Sequence, residues 1–175
     1  TLPSDARNAF TSHVKVTVKG KNFSANNLGQ RKKSDFYETP YSMTQQFLEA
    51  EGDRLTGSLL EPAAGDGAIV KVLSNAGYSV VSKDIANNQD FLEEIDKFNC
   101  IVTNPPFSLA LQFIDKAKAL SDYFAFLLPL SYLHGKKRYD TVYTDKEFPL
   151  SRIYVFTRYP MLGDPLREDG KYRTG

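Results

Sequence analysis

Four short stretches place polar side chains where apolar runs end. Asn104-Pro105-Pro106-Phe107 follows the apolar run 100–102. Its two prolines remove two backbone donors and stiffen the chain. An amide precedes them and an aromatic ring follows. Glu61-Pro62-Ala63-Ala64-Gly65-Asp66-Gly67 follows Leu59-Leu60. Glycines there permit positive φ and let a ligand approach the backbone. A helix starting after them would add free N–H groups. The third glycine of a dinucleotide fingerprint is missing, its place taken by Val70. Glu61 and Asp66 would repel a pyrophosphate, but they suit a cationic or hydroxyl-bearing ligand. Asp84 closes the next apolar run, where an acid accepts hydrogen bonds from ribose hydroxyls. Asp90-Phe91 pairs a carboxylate with a ring, a combination able to read an exocyclic amine and stack on a purine. Each stretch has a plain alternative: a stiff strand-to-helix turn at 104–107, an ordinary glycine turn at 65–67, a strand terminator at Asp84 and a loop at 90–91.

The elements that would carry these residues alternate. Residues 41–51 read as a helix after Pro40, with Met43, Phe47 and Leu48 at helical spacing. Leu59-Leu60 reads as a strand and 68–76 as a helix stopped by Gly77. Residues 78–85 and 98–104 read as strands, with a loop at 87–94 between them. Residues 108–121 read as a helix that Ser108 can cap, its apolar face built from Leu109, Leu111, Phe113, Ile114 and Ala117. Residues 123–133 read as a buried strand plus its exit, and 151–159 as a further strand. Val14 to Val18 alternates like a short strand or edge arm. Near-continuous apolar strands alternating with helices predict an α/β fold with a mostly parallel twisted sheet covered on both faces. Ligands in such folds sit beyond the carboxyl ends of the strands, near the topological switch point. The segments 61–67, 84–91, 104–107 and 131–138 all lie at such ends, which argues for one composite site. Residues 1–33 are expected to form an arm and 34–175 the main domain.

Composition narrows the function classes. The chain has 175 residues, 41% hydrophobic and 25% charged, with net charge +1. That is enough for one domain with a real core, while global charge says nothing about nucleic acid. No apolar run approaches the roughly 20 residues of a bilayer span, so no membrane partner is expected. No signal-peptide pattern is present. A single cysteine, Cys100, excludes an internal disulfide and reads as a buried, inert thiol. Such usage fits a reducing compartment, hence the cytoplasm. One Cys and two His leave no zinc spacing, so no metal is expected. His13 and His134 are far apart in sequence and read as surface residues; no Ser-His-Asp or Cys-His set exists. The chain opens on Thr1 and closes on a polar tail at Gly175, which suggests a processed or trimmed chain.

The ordered set "EPAAGDG", Asp84, "DF" and "NPPF" resembles the S-adenosylmethionine-dependent amino-methyltransferases. It is most similar to DNA adenine-N6 methyltransferases, including the small phage and prophage kind. "DFYETP" at 35–40 resembles the segment that closes over the methionine end of the cofactor in that family. The resemblance covers roughly residues 34–160. It implies a Rossmann-like methyltransferase fold, whose last strand would fall outside this chain, and S-adenosyl-L-methionine as cofactor. By position it implies that Phe36, Tyr37, Thr39 and Pro40 line the methionine end. Glu61, Ala63 and Gly65 would shape the loop beneath. Asp84 would hold the ribose, and Asp90 with Phe91 the adenine. Asn104, Pro105 and Phe107 would receive the target base, with Pro106 presetting the turn. Two acceptors, the Asn104 side-chain oxygen and the Pro105 carbonyl, would take the hydrogens of an adenine amine and free its lone pair for in-line transfer. Phe107 would stack on the extruded base.

A duplex substrate also needs phosphate contacts. Lys136, Lys137 and Arg138 are the nearest candidates, and Arg31 to Lys33 come next; both clusters also suit a solvated loop. No room exists for a separate recognition domain of about 70 residues, so recognition is minimal, belongs to a partner subunit, or lies in missing chain. The partner expected is DNA. RNA or a protein glutamine is the second reading, because related enzymes use the same turn; phenylalanine at 107, where tyrosine is more usual, tilts against protein. A catalytically inactive relative that keeps the fold and binds a partner is the third.

Overall fold

The computed structural model describes residues 38–156. The strand expected at 14–18, His13, the cluster Arg31 to Lys33, Phe36 and Tyr37 lie outside them. Within them, four strands form one sheet in the order β2-β1-β3-β4: β1 Ser58–Glu61, β2 Ser79–Ser82, β3 Cys100–Thr103 and β4 Tyr123–Phe126. All three pairings are parallel, with Leu60 opposite Val81 and Ile101, and Ile101 opposite Phe124. Parallel strands need crossovers. Helix α2, Ala68–Asn75, joins β1 to β2, and α3, Ala110–Leu120, joins β3 to β4. Helix α1, Tyr41–Glu51, precedes β1. The chain leaves β1 toward one edge and returns beyond β1 to start β3, so the switch point lies between β1 and β3.

The pleat divides the apolar residues between two layers. Leu59, Cys100 and Val102 face Ile69 and Leu73 of α2, with Phe47 and Leu48 of α1 packed against them. Leu60 and Ile101 face Phe113, Ala117 and Leu120 of α3. Leu60 and Ile101 are completely buried, each worth about 1.5–3 kcal/mol relative to exposure. The sheet therefore has helices on both faces, as the alternation predicts. Cys100 sits in the core, as expected. No helix among the described residues is long and apolar enough to cross a membrane.

Two local expectations fail. Helix α3 starts at Ala110 with Leu109 at the cap position, not on Ser108, because Phe107–Leu109 first makes a tight 3-10 turn after the prolines. Leu109 is consequently exposed rather than part of the buried face. The strand expected over 151–159 does not form over 151–156. Arg152 and Tyr154, two residues apart on one side of this extended chain, are drawn to Glu51 instead. Arg152 Nε lies 2.5 Å from Glu51 Oε1, and the Tyr154 hydroxyl donates to the same oxygen. Tyr123, the first residue of β4, donates to Oε2 at 2.8 Å. Ile153 and Val155, between and after the anchors, are exposed.

Glu51 is thus a buried carboxylate joining the end of α1, the start of β4 and the 151–156 segment. Burial works to raise its pKa, but hydrogen bonds from Tyr154, Tyr123 and Arg152 outweigh it and hold the carboxyl below its ordinary range. Glu51→Ala leaves the hydroxyls of Tyr123 and Tyr154 and the Arg152 guanidinium without their acceptor. Urea denaturation should show a loss of about 2–3 kcal/mol for this variant and about 1 kcal/mol for Tyr154→Phe. A change under about 0.5 kcal/mol for Glu51→Ala would contradict the clamp.

Candidate active site

The carboxyl ends of β1 and β3 flank the switch point, and both unusual turns start there. Gly65 and Gly67 adopt positive φ of 51° and 81°. Gly67 is the cap residue of α2, and a side chain there would meet nothing within 4 Å, so the space over the turn is open. The loop closes on itself through Gly67 N–H to the Ala64 carbonyl, 2.8 Å. Lys83, just past β2, extends the ladder by donating to the Glu61 carbonyl and accepting from Ala64 N–H.

Asp84 fixes the same loop from the neighbouring strand. Its Oδ2 accepts from Gly65 N–H and its Oδ1 from Ala86 N–H, both at 2.8 Å. The acid expected to hold ribose hydroxyls is therefore also the anchor of the glycine turn. Asp90 Oδ1 accepts from Leu92 N–H at 2.9 Å. Phe91 departs from expectation: its ring is 2% exposed and packs against Phe113 with centroids 4.8 Å apart. The ring belongs to the layer under α3, so the expected stack on adenine has no free face here.

Glu61, the last residue of β1, has no solvent exposure. Its Oε1 accepts from Ala63 N–H at 3.0 Å and from the Thr103 hydroxyl. The second bond spans the switch point, tying the last residue of β1 to the last of β3. Oε2 is buried and has no partner among the described residues. Burial pushes the Glu61 carboxyl up to about 8, against the hydrogen bonds from Thr103 and Ala63 and with help from the Asp84 charge. At neutral pH it is mainly a neutral acid. The glycine turn thus carries less charge than Glu61 plus Asp66 suggest.

On the β3 side, Asn104 Nδ2 donates to Thr39 Oγ1 at 3.0 Å. Thr39 is buried, one residue before the cap of α1. Asn104 as a residue is half-buried, its side-chain oxygen is buried, and Pro105 is buried beside it. Phe107 is half-buried at the start of the 3-10 turn. The glycine turn, Asp84, Thr39, Pro40 and the proline turn are therefore all anchored at one end of the sheet, at the β1–β3 switch point. Thr103 was missed by sequence reasoning. A strand-final threonine carries no signal of its own until its partner strand is known.

The basic residues divide. Lys136 is exposed and pairs with Asp140 at 2.6 Å, and Lys137 is exposed. Arg138 is committed inward, its Nε donating to the His134 carbonyl at 2.7 Å and its guanidinium lying 4.5 Å over the Tyr132 ring. His134 is exposed, as expected. No group of three or more metal-ligating side chains occurs among the described residues. A cleft of about 500 Å³ lies at the other end of the sheet, beside Asn99, Cys100, Ser121 and Tyr123. Its Lys97 and Lys118 already bond to Ala119 and Asp145.

No family model matches the chain, and no curated protein matches it. Among solved structures the chain is similar to the crystal structure of a proposed RNA methyltransferase from Pyrococcus horikoshii. Identity is 16%, the TM-score 0.41, and the match covers 61% of this chain and 68% of that one. A likeness of that extent decides neither substrate nor reaction.

The buried acid makes stability depend on pH. Glu61 holds its proton to a higher pH in the folded chain, so the folded state binds more protons between about pH 4.5 and 8. Stability should fall as pH rises through that window and level off above it. Glu61→Gln keeps the shape and the acceptor, and should flatten the profile in urea titrations. Parallel profiles for the two proteins would contradict a neutral Glu61.

Proposed function

We propose that this chain transfers a methyl group from S-adenosyl-L-methionine to the exocyclic N6 amine of adenine in DNA. The observation that carries the reading is the junction of the two turns: the glycine turn and Asn104-Pro105-Pro106-Phe107 leave adjacent parallel strands, tied by Glu61 and Thr103.

The residues fit such a cofactor on their own chemistry. Space is open over Gly67, Asp84 reaches the glycine turn, and Asp90 lies in the next turn of the same edge. Asp84 and Asp90 suit hydroxyls and an amine, and neither suits a phosphate. Thr39 and Pro40 would border the methionine end. When bound, the cofactor supplies an electrophilic methyl on a sulfonium.

The protein's share is alignment. Thr39 takes one donor of the Asn104 amide, which orients the group, and in this reading the amide oxygen would turn to a substrate amine when the base enters. The Pro105 carbonyl, held by two consecutive fixed φ angles, supplies the second acceptor. Accepting both amine hydrogens would localise the nitrogen lone pair toward the methyl. Phe107, half-buried in the turn, would bear on the base. Asp84 has two duties in this reading, tying the turn and holding ribose.

Asn104→Ala should lower methyl transfer to adenine-containing duplex DNA by at least about 100-fold, the scale of losing one preorganised acceptor, with cofactor affinity within a few fold. Thr39→Val should keep cofactor affinity and lower the rate about tenfold, because the amide loses its orienting acceptor. Label from methyl-tritiated cofactor reads the rate, and calorimetry with S-adenosylhomocysteine reads affinity. Label entering RNA or protein alone, or equal loss of binding in both variants, would overturn the assignment.

A further inference from the structure

The segment leaving β4 carries apolar and cationic side chains outward, next to the proline turn. Leu130 is 67% exposed, Leu133 42% and Tyr139 60%. Lys136, paired at the surface with Asp140, and Lys137 are exposed between them. Exposed apolar side chains occur elsewhere on this surface too, at Ile85 and Ile95, but here they stand beside two lysines on one bend next to the proline turn.

The segment is not a loose loop. Tyr132 is buried with Ala110 and Ile114, in the first turns of α3, which begins directly after Phe107–Leu109. Tyr143 hydroxyl donates to the Tyr132 carbonyl at 2.6 Å. Arg138 closes the bend by bonding to the His134 carbonyl and stacking on Tyr132. Gly135 has φ 112°, and a side chain there would come within 3.0 Å of the Arg138 guanidinium. The β4 end is in turn locked to β3 by Leu127 N–H to the Thr103 carbonyl, 2.9 Å. The bend is therefore fixed beside residues 107–110, with its leucines and lysines facing solvent.

From this juxtaposition we infer that the 130–139 bend is the element that enters duplex DNA: Leu130 and Leu133 fill the stack vacated by the target base, and Lys136 and Lys137 hold the flanking phosphates. The inference rests on the DNA reading of the proline turn and deepens it. Apolar side chains inserted between base steps offset lost stacking, and lysines on the same rigid bend supply the counter-charge. A base taken from the stack leaves a gap that must be filled. A protein partner would find the two lysines at the centre of its contact, where charged groups are disfavoured. Arg138, in contrast to the sequence-level expectation, shapes the bend rather than contacting phosphate.

The test uses the full chain and two fluorescein-labelled short duplexes. One is fully paired; the other carries a central adenine opposite an abasic site, so that its adenine is already loose. Fluorescence anisotropy reads binding without requiring transfer. Leu130→Ala/Leu133→Ala should weaken binding to the paired duplex about tenfold and to the abasic duplex by less than about twofold. Lys136→Ala/Lys137→Ala should weaken both about equally and lower the salt slope of binding by about two. All four side chains are exposed, and thermal melting confirms that the variants fold. Equal effects of the leucine pair on both duplexes, no effect of either pair, or absence of duplex binding by the native chain would overturn the inference. Binding that responds as predicted without any methyl transfer would overturn the proposed reaction and leave the bend's role standing.

Discussion

A single hydrogen bond across the switch point conditions the rest of the site. The Thr103 hydroxyl donates to Glu61, joining the final residues of two parallel strands whose exits diverge. Sheet hydrogen bonding alone ends near there, and each strand then enters a turn with its own demands. Glu61 also accepts from Ala63 N–H, so the same carboxyl sets the first step of the glycine turn. Burying a carboxyl is expensive unless it is neutral or well bonded. Here burial keeps it protonated and two donors fix one of its oxygens, while the other oxygen has no partner among the described residues. Asp84 completes the frame from β2 by taking Gly65 N–H and Ala86 N–H.

The second frame is built on α1. Thr39 fixes the Asn104 amide from a residue distant in sequence, and the far end of the same helix carries Glu51, which gathers Tyr123, Arg152 and Tyr154. One helix therefore spans the site end of the sheet and its base. The polar anchors at its two ends fix its position, while Phe47 and Leu48 supply apolar contact between them. Precision at the amide thus depends on packing remote from it.

Much of this arrangement was legible in the chain because it is local. Alternating apolar runs specified the parallel sheet, and proline and glycine marked the turns at 104–107 and 65–67. The strand ends carried their acids within one or two residues of the expected position. What escaped was non-local. Thr103 gains meaning only opposite Glu61, and Thr39, expected beside the methionine end, shows its bond to Asn104 only in the fold. Phe91 reads as a stacking ring until Phe113 covers it. The run at 151–156 has strand-like composition, yet Arg152 and Tyr154 answer to Glu51, which periodicity cannot reveal. Ser108 could cap a helix in principle; the turn imposed by the two prolines moved the helix start past it.

A cofactor seated between the two turns perturbs both at once. Nitrogen-15 NMR of the protein titrated with S-adenosylhomocysteine examines this directly. The backbone amides of Gly65 and Ala86 and the side-chain amide of Asn104 should shift together along one saturation curve. Shifts confined to the cleft around Asn99 and Ser121, or a response of Gly65 without Asn104, would contradict a shared site.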